Sequence, residues 1–173
     1  DFNGDGKSDL LFESASGGFA IWNLNGNAIS GGAALGSPGA GWVYKGIGNF
    51  NGLGDSDILF ENASTGEYAS WDISDDKISG GGNIGNPGSA WALAAIGDYA
   101  TTGRSSLLFD NTSTGQLTSW DLDDTHIVGG GAIGNPSAAY AVVQAPPAIK
   151  QQPAPTLTFI NATSGQIAEW DVN

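Results

Sequence analysis

Cysteine is absent from the 173 residues. This excludes a disulfide framework and leaves repetition or metal as the stabilising device expected of a small secreted chain. Methionine is absent too, even at position one, so a processed form or a fragment is expected. Basic residues number only 5 against 18 acidic ones, a net charge of −13. That balance excludes nucleic acid as a partner, because phosphates call for basic patches. It also speaks against anionic membrane surfaces. No apolar run approaches the ~18 residues of a membrane span, and no signal-peptide pattern is visible. A single histidine, His126, and no thiol leave little material for nucleophilic catalysis.

What the chain does have is repetition. Trp22, Trp71, Trp120 and Trp170 are spaced 49, 49 and 50 residues apart, and Phe12, Phe60, Phe109 and Phe159 are spaced 48, 49 and 50. A period of 40–50 residues with short strands reads as propeller-like. The units are 1–48, 49–97, 98–146 and a truncated 147–173. The fold expected is all-β: a propeller-like array of four-stranded antiparallel blades, three full units plus a half unit, in one repeat domain. Six Trp, seven Phe and four Tyr supply the core.

Within a unit the first strand is a short apolar run at 10–13, 58–61, 107–110 and 157–160, as suits a strand buried between sheets. Turns follow at Asn62, Asn111 and Asn161, each ending four residues later in Gly66, Gly115 or Gly165. Asn starts an Asx-turn and Gly supplies φ > 0. The same triplets are glycosylation sequons, but recurrence at one turn position favours turn chemistry. The second strand spans 19–24, 68–73, 117–122 and 167–172. Its alternation places Ala69, Trp71 and Ile73 on the core face, and Ser70 and Asp72 on the opposite face. Trp22 and Leu24 are expected inward likewise. The third strand (29–35, 78–84, 127–133) is glycine-rich. Its aliphatic ends, such as Ile78 and Ile84, are expected on one face, and its glycines to make room for the neighbouring unit's Trp. The fourth strand starts at Trp42, Trp91 or Tyr140.

The first nine residues, Asp1-Phe2-Asn3-Gly4-Asp5-Gly6-Lys7-Ser8-Asp9, place side-chain oxygens at Asp1, Asn3, Asp5 and Asp9. Lys7 can add its backbone carbonyl, and Gly6 permits the sharp turn. Hard oxygen donors at this density suit Ca²⁺, which takes 6–8 of them. The start matches the EF-hand pattern D-x-[DN]-x-[DN]-G. The loop, however, closes at position nine and runs into a strand, so it is not an EF-hand. The pattern then decays. Asn49, Asn51, Asp55 and Asp57 form a weaker second copy with Leu53 at the third ligand position. The third copy, 98–106, keeps only Asp98, and the fourth, Pro147 to Pro155, keeps no carboxylate. Calcium affinity follows ligand charge and count. One good site, one weak site and no metal in the last two loops are therefore expected.

The count of strands starts at strand one and stops after strand two of the last unit. A closed single-chain ring is not expected on that count, and the bare edge of strand two would seek a partner. Either the chain is cut from a longer array, or another copy completes it by strand addition.

Asp1-Phe2-Asn3-Gly4-Asp5-Gly6-Lys7-Ser8-Asp9-Leu10-Leu11 resembles the FG-GAP/VCBS repeat, the integrin-α-like calcium-binding propeller blade. The second copy retains Asn49-Phe50-Asn51-Gly52 and Asp57-Ile58-Leu59. The third and fourth match through their strands and turns alone. The resemblance implies a β-propeller with Ca²⁺ held by Asp1, Asn3, Asp5, the Lys7 carbonyl and Asp9. It also implies a secreted or surface location, in a bacterium, where such repeats are accessory modules of adhesins, matrix proteins and enzymes.

Three functions are weighed. The first is a non-catalytic, extracellular, calcium-stabilised module for adhesion or self-assembly, and this is the expectation. The second is a glycan-binding lectin using Trp42, Trp91 and Tyr140. The third is an accessory part of a secreted polysaccharide-active enzyme. Paired carboxylates could act there as acid and base, and Asp75-Asp76 and Asp123-Asp124 follow strand two in two units. Turn residues explain those pairs better, so no catalytic residue is assigned.

Overall fold

The computed structural model describes residues 1–144, 156–161 and 163–171. The expected fourth loop, Pro147 to Pro155, lies outside the described residues, as do Ala162 of the last Asn turn and Val172 of the last strand. Among the described residues there are fourteen strands and no helix. They are β1 (Leu10–Glu13), β2 (Phe19–Asn25), β3 (Ala28–Gly36), β4 (Trp42–Gly48), β5 (Asp57–Asn62), β6 (Tyr68–Ser74), β7 (Lys77–Gly85), β8 (Trp91–Gly97), β9 (Ser106–Asn111), β10 (Leu117–Asp123), β11 (His126–Gly134), β12 (Tyr140–Gln144), β13 (Thr156–Asn161) and β14 (Ile167–Asp171). The chain divides into two compact units, Asp1–Asn86 and Pro87–Asn173. The first holds the sheets β1-β2-β3 and β4-β5-β6-β7, and the second holds β8-β9-β10-β11 and β12-β13-β14. All pairings are antiparallel between consecutive strands.

Sequence repeat and sheet are offset by one strand. The fourth strand of each repeat pairs with the first strand of the next: β4 with β5, β8 with β9 and β12 with β13. The reason is local. The 49–57 loop reverses the chain, so that Gly48 and Asp57 at its two ends face each other in register, as a hairpin connection must. Chain passage between sheets falls instead at turns such as 85–88 and 134–137, rich in Gly, Asn and Pro. The sheets therefore contain three, four, four and three strands, rather than four-stranded blades bounded by the calcium-type loops.

In the first unit, Phe19 and Ile21 of β2 pack with Phe2 against Ile58, Phe60 and Ile73 of β5 and β6, with Leu11, Leu35, Trp42 and Trp71 around them. The Phe19 ring meets Phe60 edge-on at 5.3 Å. In the second unit, Tyr99, Leu108 and Leu117 pack against Phe159 of β13. Burial corrects two sequence expectations. Ser70 and Asp72 are buried rather than solvent-facing. The first copy of the recurring Trp is not core, since Trp22 is 47% exposed, whereas Trp71 is partly buried and packs against the first unit's core. Each Trp instead leans edge-on against the Phe of the strand beside it, at 4.7 Å for Phe12–Trp22, 4.9 Å for Phe60–Trp71 and 4.8 Å for Phe109–Trp120. The buried face of β2 is the other one, with Phe19, Ile21 and Asn23.

The glycine-rich strand is also explained differently. Gly32, Gly81 and Gly130 stand opposite Trp22, Trp71 and Trp120 of their own sheets. At Gly81, φ is +97°, and a Cβ would lie 2.3 Å from the Ser70 carbonyl oxygen. The clearances at Gly32 and Gly130 are 2.1 and 2.2 Å. These glycines therefore admit a strand-two carbonyl of the same sheet, not a neighbour's Trp. Register shifts beside them break the simple alternation of the strand. Ile84 is buried while Ile78 is exposed, so the two ends do not share an environment.

Two outcomes follow. Gly81→Ala costs about 2–4 kcal/mol of stability in urea unfolding, because neither the positive φ nor the carbonyl contact can relax without moving backbone. Tyr99 is buried, its hydroxyl has no hydrogen-bond partner, and burial pushes its pKa well up. Loops one and two carry Phe2 and Phe50 at the same position. Tyr99→Phe therefore stabilises the fold by about 1 kcal/mol, since it removes an unsatisfied buried group. A loss of stability on that change would contradict this packing.

Candidate metal centre

The 1–9 loop is held by its own amides. Gly4 and Gly6 take φ of +75° and +81°, which turns their N–H groups inward. The Gly4 N–H donates to Asp1 Oδ1 and the Gly6 N–H to Asp1 Oδ2, both at 2.8 Å. The Asp5 N–H donates to Asn3 Oδ1 at 3.0 Å and the Lys7 N–H to Asp5 Oδ1 at 2.9 Å. Asp9 accepts from the Phe2 N–H (2.8 Å) and the Leu24 N–H (3.0 Å), so it clasps the start of the loop to the end of β2. All four predicted oxygen-bearing side chains thus belong to one nine-residue turn.

Lys7 does more than offer a carbonyl. Its ammonium lies 2.8 Å from Asp5 Oδ2, and this hydrogen bond lowers the Asp5 pKa. A cation in the loop would displace that ammonium, and an exposed pair is easily broken. Each carboxylate oxygen that accepts one N–H still has a free lone pair. The donors therefore suit a hard cation in kind. Among the described residues, however, no three His, Cys, Asp or Glu side chains converge as a metal-ligand group. A site here would draw on Asn3 and the Lys7 carbonyl as much as on its carboxylates.

The second loop is tied differently. Asp57 is fully buried. It accepts from the N–H groups of Phe50 (2.8 Å), Asn51 (3.3 Å) and Ile73 (3.1 Å), and from Asn51 Nδ2 (3.2 Å). Asn51 Oδ1 accepts from the Leu53 N–H (2.8 Å) and Asn49 Oδ1 from the Gly54 N–H (3.3 Å). Asn49, Asn51 and Asp57 thus serve one bonded loop. Asp55 faces the first loop instead, where a Cβ on Gly4 would stand 2.9 Å from its Oδ1. The Ser56 N–H donates to the Asp1 carbonyl at 2.7 Å, which joins the two loops.

The third loop keeps the frame without the charge. Asp98 accepts from Thr102 N–H (2.8 Å) and Gly103 N–H (2.7 Å). Position nine is Ser106, whose hydroxyl lies 2.9 Å from Asp121 Oδ1. Arg104 at position seven pairs with Asp123 at 3.1 Å. In all three loops the side chain at position one accepts the N–H of position six. That bond is common to all three.

Trp42, Trp91 and Tyr140 begin β4, β8 and β12, at the end of each sheet away from these loops. They pair in register with Asn62, Asn111 and Asn161. All three are half-buried. Trp42 packs on the first core and Tyr140 on the second. The Asn partners are Asx-turn residues: Asn62 Oδ1 accepts from Ser64 and Thr65 N–H groups at 3.0 and 3.2 Å, and Asn111 and Asn161 do the same. Asp75 and Asp76 form the tip of the β6–β7 hairpin at φ of +50° and +61°. Asp76 accepts from Asn23 Nδ2 at 2.6 Å, and its N–H donates to the Phe2 carbonyl at 3.3 Å. The acidic pairs thus sit in turns and ion pairs.

Phe2, Phe50 and Tyr99 were not singled out from the sequence, although the aromatic at loop position two recurs at 48 and 49 residues. All three are buried. Phe2 and Tyr99 fasten a loop of one sheet onto the next sheet of the same unit. Compared with known proteins, the chain matches no protein-family model, no curated protein and no solved structure.

Asp57→Ala leaves buried N–H groups without an acceptor and is expected to cost about 3–5 kcal/mol. Asp55→Ala stays within about 1 kcal/mol. Equal effects of the two changes in urea unfolding would refute the distinction between clasp and neighbour.

Proposed function

We propose that the chain is a non-catalytic, extracellular, calcium-stabilised repeat module of the FG-GAP/VCBS kind, serving adhesion or self-assembly. Its sheets would be the blades of a β-propeller-like array. The observation that carries this reading is the recurrence of one loop frame before β1, β5 and β9, of which the first retains every side-chain oxygen of a calcium loop. Asp1, Asn3, Asp5, the Lys7 carbonyl and Asp9 would hold the ion. There it would neutralise carboxylates that otherwise repel one another and would brace the loop that carries Phe2. The 49–57 loop is the weaker site, because Leu53 stands at its third ligand position and the neutral Asn49 at its first, and calcium affinity follows ligand charge and count.

A second reading has one observation in its favour. An aromatic side chain and an asparagine face each other across strands at the same end of three sheets. Such pairs offer a stacking plane beside polar groups, a combination that sugars use. The half-burial of the aromatics against the cores and the Asx-turn bonds of the asparagines keep it behind the first.

Calcium is expected to raise the unfolding midpoint. At 100 times the dissociation constant the gain is about 2.7 kcal/mol. EDTA abolishes it, and Asp5→Asn removes the calcium-dependent part while leaving the metal-free midpoint near its original value. Thermal unfolding that is identical in calcium and EDTA would overturn the reading. Binding of a glycan lost on Trp91→Ala in a folded protein would move the assignment to the second one.

A further inference from the structure

The backbone of the 1–9 loop is held from outside the loop. Phe2 stands between Asp1 and Asn3, two of the oxygen-bearing residues, so the two peptide planes that meet at Phe2 set where those side chains begin. The Asp1–Phe2 peptide is bonded on both sides. The Phe2 N–H donates to Asp9 at 2.8 Å, and the Asp1 carbonyl accepts from the Ser56 N–H at 2.7 Å. The Phe2–Asn3 peptide is bonded through the Phe2 carbonyl, which accepts from the Asp76 N–H at 3.3 Å. Asp76 lies at the tip of the β6–β7 hairpin, in the next sheet of the same unit. Its side chain ties that tip to the first sheet, since Oδ2 accepts from Asn23 Nδ2 at 2.6 Å. Asn23 is 5% exposed and its Oδ1 has no hydrogen-bond partner among the described residues, so the bond to Asp76 is the one its side-chain amide makes. The next residue, Leu24, donates its N–H to Asp9 at 3.0 Å. Asp9 and Asp76 therefore grip the same two segments, 1–3 and 23–24, one from inside the loop and one from the neighbouring sheet. Asp75, at the same tip and also at positive φ, pairs instead with the exposed Lys77 at 3.4 Å.

We infer that Asp76 is a positioning residue for the ion of the 1–9 loop, so that calcium binding and the docking of the second sheet on the first favour one another. This rests on the calcium reading proposed above and names what regulates that site. Asp1 and Asn3 reach one ion together only when the chain between them follows a fixed path. The free energy of ordering that path is otherwise lost from binding. Asp76 supplies a fixed point from outside the loop, at the tip of a hairpin paired along its length. Residues that orient a metal's ligands without touching the metal change its affinity about 10–100-fold when removed. The coupling is reciprocal: whatever Asp76 adds to calcium affinity, calcium adds to the hold of the hairpin on Phe2. The ion then acts across the junction of two sheets, not within one turn alone.

The test is calcium affinity by titration calorimetry on the whole chain and its variants, at a temperature where circular dichroism shows each one folded. Asp76→Gly deletes the side-chain bond to Asn23, and Asn23→Ala deletes it from the other side. Each is expected to weaken calcium binding about tenfold. Asp76→Asn keeps an acceptor for Asn23 and tolerates the positive φ, so its affinity stays near that of the wild type. Asp75→Gly removes the same charge from the same turn and relieves the same kind of backbone strain, and its affinity also stays near wild type. Amide exchange reads the reciprocal effect. Calcium slows exchange of the residue-76 N–H in the wild type and in Asp76→Asn, but not in Asp76→Gly or Asn23→Ala. Wild-type affinity in either Asp76→Gly or Asn23→Ala overturns the inference. A loss in Asp76→Asn or Asp75→Gly as large as in Asp76→Gly overturns it too, since charge at a distance would then be the cause. A wild-type chain that binds no calcium overturns the inference together with the module reading, whereas calcium binding indifferent to residue 76 overturns the inference alone.

Discussion

A carboxylate at the ninth loop position organises this protein. Asp57 has no contact with water and instead gathers amides from the start of its loop and from the far end of the next strand but one. Asp9 does the same on a smaller scale. The bond to the position-two amide fixes where that residue's side chain leaves the backbone, and the side chain is an aromatic driven into a core. Hydrogen bonding, loop path and sheet stacking are therefore one linked system. A buried carboxylate is tolerated only when its acceptor capacity is used, and here each use closes a different piece of backbone.

This view separates two tasks that one motif had merged. Asp, Asn and Gly at alternating positions make a calcium loop, and they also make a turn that satisfies its own amides. The third loop shows the second task surviving alone: Asp98 keeps Asp1's bond to the position-six amide, while Ala100, Thr102 and Ser106 stand where Asn3, Asp5 and Asp9 stand in the first loop. Decay of ligand charge along the chain has not been accompanied by decay of the loop frame.

Much of the fold was legible. Strand positions followed from apolar runs bounded by Asn and Gly, and the 49-residue spacing aligned weak segments with strong ones. The Asn turns behaved as their chemistry dictates. Faces were harder. Alternation assumes a wet side, yet along β6 residues of both alternating sets are dry, so Ser70 and Asp72 are buried as Ile73 is. Trp22 misled for the opposite reason: its size suggested core, while its place on the uncovered face of the first sheet left it in water. The sheet boundaries were missed because a loop read as a metal site was taken for a divider, when its ends pair as a hairpin. The role of Phe2 and Tyr99 was recoverable from their recurrence, had the loop been read for apolar as well as oxygen-bearing positions.

The one-strand offset between repeat and sheet has a genetic consequence. Each inner sheet borrows its first strand from the preceding repeat and its other three from the next. Excision or duplication of about 49 residues, wherever the breakpoints fall, rejoins a strand to a successor of the same type. Recombination can therefore lengthen or shorten such an array without orphaning a strand, so that the number of sheets is free to drift while every hydrogen-bonded ladder stays whole.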